Sequence, residues 1–161
     1  MSQPTVDELV TILTNENTTL VQLKAVLNKE SDALLKNDIN AVEGSALEKK
    51  SLLARFEKQV QIRLDCLSAH GFESSEQGFN AYIHSLSIDL ESPLLSLWHQ
   101  LKDTFEAVIK QNEQNGIIIH HSRNRTRALL NILHDNKNQP NLYNESGTDK
   151  GSRQRHSLGE A

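Results

Sequence analysis

Apolar side chains recur at alternating steps of three and four through three long stretches of this chain. In the first stretch Val6, Leu9, Leu13, Glu16, Leu20, Leu23, Leu27, Glu30 and Leu34 keep the rhythm unbroken. In the second the frame is Val42, Ala46, Lys49, Leu53, Phe56, Val60, Arg63 and Leu67. The third begins with Leu94, Trp98, Leu101, Phe105 and Val108, continues through Asn112 and Asn115, and meets Ile119, Leu129 and Leu133 further along. That period lays a stripe along one side of a helix and calls for another helix to cover it. The fold class expected is therefore all-α: an elongated antiparallel helical bundle or coiled-coil hairpin with three long helices, one short helix and a flexible C-terminal tail.

Punctuation residues give the helix ends. The three prolines, Pro4, Pro93 and Pro140, bound two long spans free of the residue that a helix interior tolerates least. Thr5 caps a first helix over about 5–37, with Asp7 and Glu8 in the turn where the helix dipole favours acids. Asn37-Asp38-Ile39-Asn40 reads as a tight connection, because Asn and Asp bond nearby backbone. A second helix spans about 40–69. A loop from Ser68 to Gln77 leads to a short helix over about 76–89, marked by Phe79, Tyr82, Ile83 and Leu86. Ser92-Pro93 then opens the last helix, about 92–135 and roughly 65 Å long if unbroken. Residues 1–137 thus form the bundle. The tail, 138–161, holds Leu142, Tyr143 and Leu158 as its only sizeable apolar side chains and cannot build a core alone.

Charged and amide groups lie inside these seams. A turn centred near Ile39 or Asn40 puts Glu30 opposite Lys49 or Lys50. Glu30, Lys50 and Arg63 are accordingly expected to set register rather than to carry function. Asn112 and Asn115 have two readings of equal standing, as seam amides that fix register or as part of a binding surface. Ile117-Ile118-Ile119 covers most of the helix circumference, so that stretch is either enclosed or bound by something.

Composition narrows the function. The formal charge of -4, without a dominant basic block, lacks the footprint of a phosphate binder, so no nucleic acid is expected as a partner. The single cysteine, Cys66, rules out an internal disulfide framework and agrees with a reducing compartment. No apolar run nears the roughly 20 residues that span a bilayer, and the first residues lack a secretory pattern. The chain reads as cytoplasmic, with no integral membrane segment.

Catalysis finds little support. His120 and His121, adjacent on a helix, point about 100° apart and cannot chelate one metal ion as an i, i+4 pair could. Neither is followed by the H-x-x-K-G pattern of histidine phosphotransfer bundles, which leaves that activity a remote alternative. Cys66 has the makings of a small apolar filler. The chain carries no P-loop, dinucleotide fingerprint or nucleophile elbow. No catalytic residue, metal or cofactor is assigned, and the protein is expected not to be an enzyme.

Several motifs follow one another along the chain. The first helix ends with Glu30-Ser31-Asp32-Ala33-Leu34 and a short Asn-Asp turn. Lys50 precedes Leu52-Leu53, with Arg63 further along. Asn112-x-x-Asn115-Gly116 is followed by Ile117-Ile118-Ile119. Tyr143-Asn144-Glu145-Ser146-Gly147 follows the last helix, and Ser157-Leu158-Gly159 closes the tail. In this order the features resemble the FlgN family of flagellar type III export chaperones, in which a similar Tyr-Gly-x-x-Gly element follows the last helix; Asn144 stands where glycine is usual. The resemblance covers nearly the whole chain. It implies a bacterial cytoplasmic chaperone without catalytic activity. The implied clients are the hook-filament junction proteins FlgK and FlgL, and the docking partner is the export gate component FlhA. A homodimer is the remaining partner under consideration.

On that reading the client surface is sought in Asn112, Asn115, Ile118, Ile119, Leu129, Ile132 and Leu133, through helix-in-groove packing and ordering of the tail. Tyr143, an aromatic with a polar tip, is the candidate for export-gate docking. Each has a plainer counterpart. Leu129, Ile132 and Leu133 could close the bundle as core, which pattern alone favours; Tyr143 could pin the tail to the bundle. The competing class is a coiled-coil structural or adaptor protein that self-associates permanently.

Overall fold

The computed structural model describes residues 6–86 and 88–137. Among them are four helices and no strand: α1 (Val6–Lys36), α2 (Ile39–Ala69), α3 (Glu76–His84) and α4 (Ile88–Lys137). Three are long and one is short, as the apolar periods require. The chain divides into two compact units, Met1–His121 and Ser122–Ala161.

α1 and α2 form an antiparallel hairpin whose turn is built by local chemistry. Asn37 adopts φ 55°, the left-handed conformation that asparagine tolerates better than most residues. The Asp38 amide then donates to Ala33 O (2.9 Å) and the Asn37 amide to Leu34 O (3.2 Å), which satisfies the last carbonyls of α1. Asp38 serves the next helix too, its carboxylate accepting from the Ala41 amide at 3.1 Å. One dipeptide therefore stops α1 and starts α2.

α2 ends by the same device with glycine in the strained position. Gly71 has φ 76°; its amide reaches Ser68 O, and the Phe72 amide reaches Leu67 O. Ser75 caps α3 by accepting from the Gly78 amide at 3.0 Å. Gly78 is required by proximity, since a Cβ there would run into the carbonyl of Glu73.

The core of the first unit follows the stripes. Leu9, Leu13, Leu20, Leu23 and Leu27 of α1 are buried with Leu67 of α2, Phe79, Tyr82 and Ile83 of α3, and Leu94, Trp98, Leu101 and Val108 of α4. Aromatic pairs tie the short helix in, Phe79 lying 4.5 Å from Trp98 and Phe72 5.0 Å from Tyr82 between ring centroids. α3 ends at His84, shorter than the pattern suggested, and α4 starts at Ile88, so that Pro93 falls inside the helix near its N-terminus instead of opening it. One missing amide so close to a helix end removes a single backbone bond. In the second unit the described residues are those of α4 from Ser122 to Lys137. The expected tail, 138–161, lies outside the described residues.

Candidate functional site

Two carboxylates inside the α1 seam meet cations from α2. Glu16 is fully buried and accepts from Arg63 Nε at 2.9 and 3.2 Å. Glu30, also buried, accepts from Lys49 Nζ at 2.8 and 3.1 Å. Both pairs straddle the same point between Ile39 and Asn40, so they share one antiparallel register. Lys49, the residue in the apolar frame of α2, takes the place opposite Glu30. Lys50 is exposed one position on, because adjacent helical residues point about 100° apart.

Asn115 of α4 joins the second pair. Its Nδ2 donates to Glu30 Oε2 and to Leu27 O, both at 2.8 Å, and its Oδ1 accepts from Gln111 Nε2 at 3.1 Å. With 1% of its surface exposed, Asn115 spends its bonding capacity inside the bundle and offers little to an outside partner. Asn112 is exposed, and Ile118 and Ile119 are half-buried.

Around the first pair the chemistry is aromatic. The Arg63 guanidinium lies 4.9 Å from the Trp98 ring centroid and 5.5 Å from that of Phe79, contacts that stabilise a cation removed from water. Burial pushes the Glu16 carboxyl above its ordinary 4.5, and the opposing influence of Arg63 is smaller. Burial, and next the charge of Glu8, push the Cys66 thiol up as well. His70 Nδ1 meets the Cys66 backbone carbonyl at 2.6 Å, which leaves this thiol without the activation a nucleophile needs. His120 and His121 stand edge to face, 6.2 Å between centroids, and among the described residues no group of three His, Cys, Asp or Glu is placed to hold a metal.

Leu35, Ile39 and Leu47 near the hairpin turn are exposed by 69, 72 and 72%, and two further groups of exposed apolar residues involve α4. In the first unit, Phe105 is 42% exposed although it keeps the seam frame of α4. It stacks on Phe56 of α2 at 5.9 Å along a groove of about 770 Å³ between α2 and α4. A smaller recess of about 140 Å³ continues from Phe56, Phe105 and Ile109 toward Lys49 and Asn112. The sequence reading missed this groove because it treated Leu53, Phe56 and Phe105 as seam residues; the signal was that one helix, α1, cannot cover every apolar position on two neighbours. In the second unit, Leu129, Leu130, Ile132 and Leu133 are all half exposed or more, at 56, 50, 57 and 60%. Four large aliphatic side chains within five positions form a patch of the kind that marks an interaction site. Leu130 was absent from the sequence-based candidates, and Tyr143 lies outside the described residues.

Among the described residues no helix is long and apolar enough to cross a membrane. No curated protein matches this chain. A crystal structure from Pseudomonas aeruginosa bearing the name flagella synthesis protein FlgN superposes with a TM-score of 0.64 at 22% identity, covering 81% of this chain and 98% of that one; it shares the fold. The model of the family described as FlgN protein matches residues 1–151, and the chain therefore belongs to the FlgN family of flagellar export chaperones.

Proposed function

We propose that this protein is a cytoplasmic chaperone, without catalytic activity, that binds the hook-filament junction proteins FlgK and FlgL, prevents their premature assembly and delivers them to the export gate component FlhA. The observation that carries the reading is the uncovered aliphatic patch Leu129, Leu130, Ile132 and Leu133 on α4, in a member of this family. Axial proteins that polymerise through helical termini expose apolar stripes until they assemble, and a complementary stripe on a second helix covers them. Leu129, Ile132 and Leu133 form the centre of the client surface. In the first unit the half-buried Ile118 and Ile119 and the exposed Asn112 are separate candidates for client contact, whereas Asn115 belongs to the scaffold. Tyr143 is the residue that docks on FlhA.

Isothermal titration calorimetry of the full chain against the terminal helical segments of FlgK and FlgL tests the proposal. One-to-one binding at micromolar affinity or tighter, with a negative heat-capacity change, is expected. Tyr143→Ala should leave that binding intact and weaken capture of the loaded chaperone by the cytoplasmic domain of FlhA. Absence of client binding by calorimetry and by a second method would overturn the reading.

A further inference from the structure

The two exposed apolar surfaces that involve α4 carry opposite charge. The groove between α2 and α4 is rimmed by Glu57 on one side and Glu106 on the other, and both are exposed. The other ionised groups lining it are paired, Glu16 with Arg63 and Glu76 with Lys102. Glu57 and Glu106 have no cationic partner among the described residues. The groove is thus apolar within and acidic at its edges.

The segment from Ser122 to Leu133 is the complement. Its apolar patch is flanked by Arg123, Arg125 and Arg127, all exposed and without a carboxylate partner among the described residues. At about 100° per residue, Leu129 and Leu133 form the centre of the stripe, Arg125 lies in line with it one turn before Leu129, and Arg123 and Arg127 lie beside its Leu130 edge. Cations therefore stand at one end and along one side of the stripe, where they can meet the acids that rim the groove. Lengths agree too. The groove runs along α4 from Trp98 to Asn112, about 21 Å at the helical rise, and the segment of twelve residues is about 17 Å long.

Every copy of the chain carries both surfaces, so two copies can satisfy each other. We infer that the occupant of the α2–α4 groove is residues 122–133 of a second copy of this chain, exchanged reciprocally so that each copy gives a segment and receives one. Such an interface is isologous and closes as a dimer. Rim charges at its edges steer docking and reject the wrong register. Building on the chaperone reading, the dimer holds Leu129 and Leu133 covered until a client displaces the second copy. Self-association is then a guard on the client surface.

Sedimentation equilibrium of the full chain over a wide concentration range tests this, together with two charge reversals: Glu57→Arg with Glu106→Arg in the groove, and Arg123→Glu with Arg125→Glu and Arg127→Glu on the segment. The wild type should dimerise, less tightly as salt rises. Each reversal alone should weaken dimerisation by at least about tenfold, with helical circular dichroism retained. Mixed in equal amounts, the two variants should form a heterodimer, because each then offers a groove and a segment of opposite sign to the other. A monomeric wild type overturns the inference, as does a dimer indifferent to either reversal, or a mixture that stays monomeric. Calorimetry of the groove variant against client segments separates the two proposals: client binding by this monomer supports the chaperone reading whatever the dimer result. Loss of client binding by wild type and variant alike overturns the chaperone reading and leaves the dimer result standing.

Discussion

At the residue scale, buried charge in this bundle is organised by pairs that serve geometry. Glu30 takes bonds from Lys49 and Asn115, so a carboxylate of α1 links the partner helix and α4 at one level. Removing Asn115 leaves that buried carboxylate without one of its two donors. Asn115→Ala is expected to lower stability by about 2–3 kcal/mol, measured by urea unfolding followed by circular dichroism, and to leave client affinity unchanged once corrected for folded fraction. Glu16 gives a pH signature. Its folded carboxyl titrates above the ordinary 4.5 because burial outweighs the pull of Arg63, so the native state holds that proton more tightly than the unfolded chain. The group's contribution is therefore greatest below about 4.5 and declines as pH rises through the folded value. Unfolding curves for the wild type and Glu16→Gln at several pH values should show the wild type losing stability relative to the variant as pH increases through that window. A wild-type advantage over the variant that grows with pH would mean that Arg63 dominates instead.

At the element scale, each junction is fixed by a few backbone bonds. Gly78 in the first turn of α3 leaves no room for a methyl group beside the Glu73 carbonyl. Gly78→Ala should cost about 1–3 kcal/mol, and the loss should appear as earlier thermal unfolding of the first unit, since Phe79 and Ile83 then lose their fit in the core. The substitution raises intrinsic helix propensity, so a gain in stability would show that the turn yields easily. The helices were legible because their stripes, caps and breakers agree with one another. Thr5 falls outside the described residues, but Asp38 and Gly71 mark their helix ends through chemistry visible in the residue types. The start of α4 was less legible, because Ser-Pro is a strong opening signal and nothing local reveals that the helix starts five residues before Pro93. Glu30 with Lys49 could be anticipated by counting from the turn. The link from Glu30 to Asn115 could not, since 85 positions separate them. The groove was hidden for a related reason: periodicity tells which residues share a face, and the neighbour's position decides whether that face is covered.

At the scale of the whole molecule, the division of labour between scaffold and surface is a claim about two leucines. Leu129 and Leu133 keep the seam frame of α4, and pattern alone would place them in a core; they are exposed by 56 and 60%. A core pair changed to aspartate would bury unpaired carboxylates at several kcal/mol each and unfold the protein. An exposed pair pays only the modest difference in helix propensity between leucine and aspartate, about half a kcal/mol per site. Leu129→Asp with Leu133→Asp should therefore leave helical ellipticity and the melting temperature of the first unit nearly unchanged. Client affinity should fall by at least about a hundredfold, because each leucine buried against a partner contributes about 1.5–3 kcal/mol and each aspartate adds a desolvation cost. The same variant should sediment as a monomer, since the stripe that meets the client is the one proposed to fill the groove of a second copy. Circular dichroism, calorimetry and sedimentation on this single variant separate three cases. Retained fold with both associations lost fits one shared surface, retained fold with only one lost assigns the leucines to that partner, and loss of the fold returns them to the core.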